Sequence, residues 1–216
     1  MRPWTNLLVC SSLIVVLDAA TAQSIPDKGY LCCNLRIDSG LASDGNQHDP
    51  SRQMLPAGTP VIPLVFADER LKFEAKGKEY TLGNDYSREL SPEQFVERWI
   101  VKRDPQRNLA KLPPQARQEI QRARVMRGMT REQVAMALGY PTSVNTPDLE
   151  AGEWKYQPYS GYDFLVLFDD RGRVRGVQCD DPKTRSAMYS ADPALLTRAK
   201  PSVGAPPVLS PPAAEQ

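Results

Sequence analysis

Few residues in this chain have the type and spacing to do chemistry. The single histidine, His48, follows Asp44 and precedes Asp49 in the polar stretch SGLASDGNQHDPSRQ. Such acids could tune an imidazole as a base or help hold a cation, and a solvated loop histidine is the plainer reading. Asp169-Asp170 and Asp180-Asp181 could form carboxylate pairs or a calcium site, yet turns select aspartate, so both read as acidic turns at strand ends. Arg171, Arg173 and Arg175 alternate along an expected strand. They could meet anionic headgroups or simply face solvent from a sheet. There is no G-x-S-x-G, H-E-x-x-H, G-x-G-x-x-G or P-loop. No catalytic residue, metal ligand or cofactor is therefore assigned, and a non-enzymatic role is expected.

The cysteines point to a compartment. Residues 1–22, MRPWTNLLVCSSLIVVLDAATA, place Arg2 before an apolar run and end it in Ala20-Thr21-Ala22, the pattern of a cleaved secretory signal. The run is shorter than the roughly 20 residues that span a bilayer. The alternative is a retained anchor. Cys10 follows Leu8-Val9, which does not suit lipid attachment. Beyond residue 22 stand Cys32, Cys33 and Cys179, an odd number for an oxidising compartment. Cys33 shares a strand face with Leu31, Leu35 and Ile37, which predicts burial. A bond from one of the pair to Cys179, with Cys33–Cys179 the candidate, would staple the two ends of the chain and contribute about 2–4 kcal/mol. The alternative is three unpaired thiols.

The chain has 216 residues, with 27 basic against 26 acidic side chains and a formal charge of +1. That balance excludes the broad basic footprint of a nucleic-acid binder. The length allows one or two domains.

Residues 23–104 read as a β-rich domain with a terminal helix. Strands are expected over Gly29 to Asp38, Val61 to Phe66, Leu71 to Ala75 and Glu79 to Leu82, with Lys76-Gly77-Lys78 as a hairpin tip. With the proline-framed turn at Pro56 to Pro60, these short spacings resemble bacterial SH3-like modules. Ser91-Pro92-Glu93-Gln94 caps a helix that Asp104-Pro105 ends. Residues 105–113 read as a linker. Over 114–181 the pattern predicts a helix to about Arg127 stopped by Gly128, then a helix capped by Thr130 with Gln133. Strands at Glu153 to Gln157, Tyr162 to Asp169 and Arg173 to Cys179 follow as an antiparallel meander, giving the order ααβββ and an α+β fold class. Residues 182–216 read as an extension with a proline- and alanine-rich, unfolded tail from 199.

In this second unit the string Gly128, Thr130, Val134, Leu138, Gly139 and Pro141, followed by Trp154-x-Tyr156, Phe168 and a glycine turn at Gly172, resembles the BamE/SmpA/OmlA-like domain. The resemblance implies a two-layer α/β binding domain of the bacterial cell envelope, whose members belong to the machinery that assembles outer-membrane β-barrels. Most of the motif residues are expected to be scaffold, with Trp154, Tyr156 and Phe168 between sheet and helices. The expected role is that of a periplasmic protein-interaction module, with envelope proteins such as β-barrel assembly components as partners and at most peripheral membrane contact. Tyr159 and Tyr162, flanking a turn, are the candidate partner contacts. The alternatives are cell-wall binding through the first module and inhibition of an envelope enzyme.

Overall fold

The computed structural model describes residues 27–46, 49 and 51–191. The expected signal with Cys10, the lone His48 and the tail from 199 lie outside those residues. The described chain is mixed α+β, with short helices and a curled sheet, as the composition and patterning predict.

The first half comprises β1 (Gly29–Leu31), β2 (Leu35–Ile37), β3 (Leu41–Ser43), β4 (Gln53–Leu55), β5 (Pro60–Ala67), β6 (Arg70–Ala75), β7 (Lys78–Gly83), α1 (Pro92–Trp99) and β8 (Ile100–Val101). Six strands form one sheet in the order β3-β7-β6-β5-β1-β8. Its hairpins turn on two-residue loops, Asp68-Glu69 and Lys76-Gly77, with φ positive at all four positions. That geometry matches the twist of the flanking strands. The register shift between Pro63 and Val65 admits an extra residue, and Leu64 and Val65 are both exposed there.

Three expectations need correction. The single strand over 29–38 is broken at Cys32 to Asn34, because Asn34 turns away to bond the second half. The polar loop after it contains β3, paired parallel with β7, and β4, paired with β2. The helix from Ser91 has its capping box but ends at Trp99 rather than near Asp104. Two β-branched or branched apolar residues, Ile100 and Val101, pair with β1 instead. Phe95, Val96 and Trp99 line the buried side of α1 against Leu31, Leu35, Leu71, Phe73 and Leu82.

The second half contains α2 (Gln106–Leu109), α3 (Pro114–Gln121), β9 (Val125–Met126), α4 (Arg131–Leu138), β10 (Glu153–Tyr156), β11 (Phe164–Phe168), β12 (Val174–Gln178), α5 (Pro182–Met188) and β13 (Tyr189–Ser190). The stretch 105–113, expected as a linker, carries α2, and its Leu109 is buried in the second core. Helix α3 stops at Gln121, short of the expected Arg127. Ala123 adopts φ +56, and the Ala123 and Arg124 amides close back on the Ile120 and Glu119 carbonyls, the pattern of a helix C-cap that glycine usually makes. Gly128, at φ +86, lies in the turn after β9 rather than at a helix end. The Thr130–Gln133 capping box is present. Strands β10, β11 and β12 form the antiparallel meander. Residues 182–190 are not loose extension: Asp181 caps α5, β13 runs parallel to β9, and Met188 is buried in the core.

The halves are joined by buried asparagines. A helix leaves its last four carbonyls without partners of its own. For α4, the Gly139 amide takes that of Ala135, the Asn34 amide takes Met136, Asn34 Nδ2 takes Ala137 (3.1 Å) and Asn46 Nδ2 takes Leu138 (2.6 Å). Asn34 Nδ2 also donates to the Ile120 carbonyl at 2.7 Å, and its Oδ1 accepts from the Ala57 amide at 3.0 Å. Both side chains lie in residues that are 3% exposed. Ala57, from the first half, packs in the second core. Buried polar groups of this kind are stable only when fully paired, and they fix one docking geometry.

Candidate functional site

Along this seam opens a cleft of about 550 Å³. Tyr30 of β1 and Cys32 form one wall with Val101, Lys102 and Arg103 at the end of β8. Arg107 and Asn108 of α2, with Lys111, form the rim, and Ala135, Met136 and Tyr140 form the floor at the end of α4. A neighbouring cleft of about 480 Å³ shares Tyr30 and Lys102 and adds Lys28, Glu74 and Lys76.

The sulfur chemistry at this place differs from expectation. Cys32 and Cys33 are bonded to each other, so the Cys33–Cys179 staple is not formed. Cys179 is a free thiol, with its Sγ 3.5 Å from the Asp181 carbonyl. Neighbouring cysteines meet here because the chain bends at Cys32 to Asn34 instead of continuing as a strand with opposed side chains. Cys33 is fully buried as expected, while Cys32 is half-buried on the cleft. The Cys32 amide donates to the Trp99 carbonyl at 2.9 Å, which anchors the bend.

Charge in the cleft is unbalanced. Lys102, Arg103, Arg107 and Lys111 face Asp104 and Glu132. Asp104 Oδ1 accepts from the Gln106 amide and Glu132 is 3.5 Å from Asn108 Nδ2, so both acids are engaged locally. Tyr140 is held above the usual phenol range by burial, opposed in part by the Arg98 guanidinium 5.7 Å from its ring.

The residues that carried the family resemblance are scaffold. Val134 and Leu138 are fully buried, and Pro141 is buried. Trp154 donates from Nε1 to the Leu149 carbonyl, and its ring meets that of Phe168 edge-on at 5.2 Å. The Tyr156 hydroxyl donates to the Gly139 carbonyl at 3.0 Å, and burial pushes its ionisation well above the usual phenol range. Gly139 stands at φ 84, ψ 170, and a Cβ there would come within 2.9 Å of Asn46 Nδ2.

Tyr159 and Tyr162 lie on the loop between β10 and β11, 67% and 50% exposed, and line neither cleft. Arg52 from the first half sits 5.9 Å from the Tyr159 ring. The acidic pairs do turn and cap work. Asp169 accepts from the Arg173 and Arg171 amides, and Asp181 accepts from the Thr184 hydroxyl and amide. These bonds hold both carboxyls below the usual range. Among the described residues no three His, Cys, Asp or Glu side chains converge as a metal site, and no helix is long and apolar enough to cross a membrane.

Sequence reasoning missed the seam. Its one visible signal was the run VKRDPQRNLAK, which holds four cations, two of them (Arg107 and Lys111) in the stretch read as a linker. Set against protein-family models, curated proteins and solved structures, the chain matches none.

Proposed function

We propose that this chain is an exported, periplasmic binding protein of the cell envelope, a non-enzymatic interaction module in outer-membrane assembly or maintenance. In this reading residues 114–181 are a BamE-like unit, a reading supported by the order α3, α4, β10, β11, β12, and residues 23–104 are an SH3-like module, supported by short strands on tight hairpins. The observation that carries the proposal is the Tyr159–Tyr162 loop. Two aromatic rings stand in solvent on a turn whose flanking strands pack on the second core through Tyr156 and Phe164. Exposed tyrosines on a fixed base are characteristic anchors of protein interfaces, since ordering them costs little.

The test is cross-linking in intact cells followed by affinity recovery and mass spectrometry, with the natural chain and a Tyr159→Ala/Tyr162→Ala variant. Recovery of β-barrel assembly components by the natural chain, lost in the variant, is the expected result. Undiminished recovery by the variant would remove the loop from the interface.

A further inference from the structure

The eight ion pairs among the described residues involve Arg52, Arg70, Lys72, Arg122, Arg124, Arg131 and Lys155. None involves a cation of the two adjoining clefts. Lys28, Lys76, Lys102, Arg103, Arg107 and Lys111 all line them, against three acids, Glu74, Asp104 and Glu132. A chain whose overall charge is +1 thus concentrates six unpaired cations along one groove. Exposed cations outside the ion pairs also stand singly elsewhere, among them Lys78, Arg88, Arg127 and Arg175, whereas here six line one recess.

The groove is not merely charged. Its floor, Ala135, Met136 and Tyr140, and the wall at Tyr30 and Cys32 are largely apolar. It is also pre-formed, because the Asn34 and Asn46 bonds hold the end of α4 against the strand ends that make the opposite wall. A pre-formed concave site loses less on binding than one that must be ordered.

We infer that these two clefts form one docking groove for an extended acidic segment of a partner protein, with carboxylates meeting the Lys and Arg rim and apolar side chains entering the floor between Cys32, Met136 and Tyr140. A lipid surface fits less well, since the cations surround a recess rather than a plane. Nucleic acid fits less well too, since Glu74, Asp104 and Glu132 interrupt the rim and would face phosphates. The groove shares no lining residue with the Tyr159–Tyr162 loop, so the failure of either reading leaves the other standing.

The experiment is fluorescence anisotropy on the purified protein with a labelled short peptide alternating glutamate and leucine, repeated with its glutamine counterpart and at raised salt. Expected are saturable binding of the acidic peptide, loss with salt, and weakening by about tenfold in Arg103→Gln/Arg107→Gln, as the loss of two rim contacts implies. Lys111→Gln should act in the same direction, and Arg70→Gln, a paired cation away from the groove, should leave binding unchanged. Unaltered thermal unfolding of the variants keeps the comparison valid, because the substituted side chains are exposed. Equal binding of the glutamine peptide would overturn the inference. So would insensitivity to the groove variants, or retention only on phosphatidylglycerol vesicles or purified cell-wall material.

Discussion

Substituting Asn34 by alanine probes the seam most directly. The side chain makes three buried contacts: Nδ2 to the Ile120 and Ala137 carbonyls and Oδ1 to the Ala57 amide. Its own amide keeps the Met136 carbonyl in the variant, and the Ile120 carbonyl keeps the Ala123 amide. Two buried groups, the Ala137 carbonyl and the Ala57 amide, are then left without partners, at about 1–3 kcal/mol each, and a third bond worth about 0.5–1.5 kcal/mol is lost. Allowing for relaxation, the variant should be about 3–5 kcal/mol less stable. With a urea dependence of about 2 kcal/mol per molar for a chain of this size, the midpoint falls by about 1.5–2.5 M. Asn34→Asp should cost more, because it keeps the Ala57 contact but aims a carboxylate at two carbonyl oxygens. The assay is urea unfolding followed by far-ultraviolet circular dichroism and by tryptophan emission, with Trp99 in the first core and Trp154 in the second. Coincident transitions are expected for the natural chain. A midpoint shift below about 0.5 M for Asn34→Ala, equivalent to about 1 kcal/mol, would refute the reasoning.

Two other outcomes are specific. Denatured without reductant, the chain expressed from Gln23 should titrate one thiol, Cys179, and with reductant three; its tryptic peptide Gly29 to Arg36 should be lighter by two hydrogens than the reduced form. A mixed peptide joining Cys33 to Cys179 would contradict the pairing. Gly128→Ala and Gly139→Ala should differ although both positions have positive φ. The first has open space around it and should cost about 1–2 kcal/mol, whereas the second adds a clash with Asn46 and the Trp99 ring and should cost about 3 kcal/mol or more. Equal thermal shifts would mean that the close approach at Gly139 carries no energy.

Local signals were readable and distant ones were not. Both capping boxes, at Ser91 and Thr130, depend on residues three apart, and both form. The hairpins at Lys76-Gly77 and the ring layer of Trp154, Tyr156 and Phe168 follow from turn chemistry and alternation in the same way. The end of α3 escaped because Ala123, not glycine, takes the left-handed position there. The premature end of α1 reflects a free strand edge at β1 that competes for Ile100 and Val101. The asparagine bonds of the seam left no local trace. Asn34 and Asn46 look like turn residues in their own neighbourhood, and what they cap lies in another part of the chain. The exposed state of Tyr159 and Tyr162 was legible, whereas the cationic groove required knowing that 105–113 packs rather than links.

The asparagine bonds also govern when this chain can finish folding. Asn34 waits for carbonyls 86 and 103 residues further along, and Asn46 for one that is 92 residues further. The parallel pairing of β13 with β9 adds a closure near residue 190. Contacts of such separation are slow to form, since the intervening loop must be closed before they reward it. A chain delivered from its N-terminus can pair Asn34 Oδ1 with the Ala57 amide and Asn46 with the Arg36 amide and the Asn34 carbonyl, but Asn34 Nδ2 stays without its partners until α3 and α4 arrive. During that interval Ala57, which packs in the second core, is uncovered, so delayed completion of α4 leaves apolar surface of the first half open to other chains.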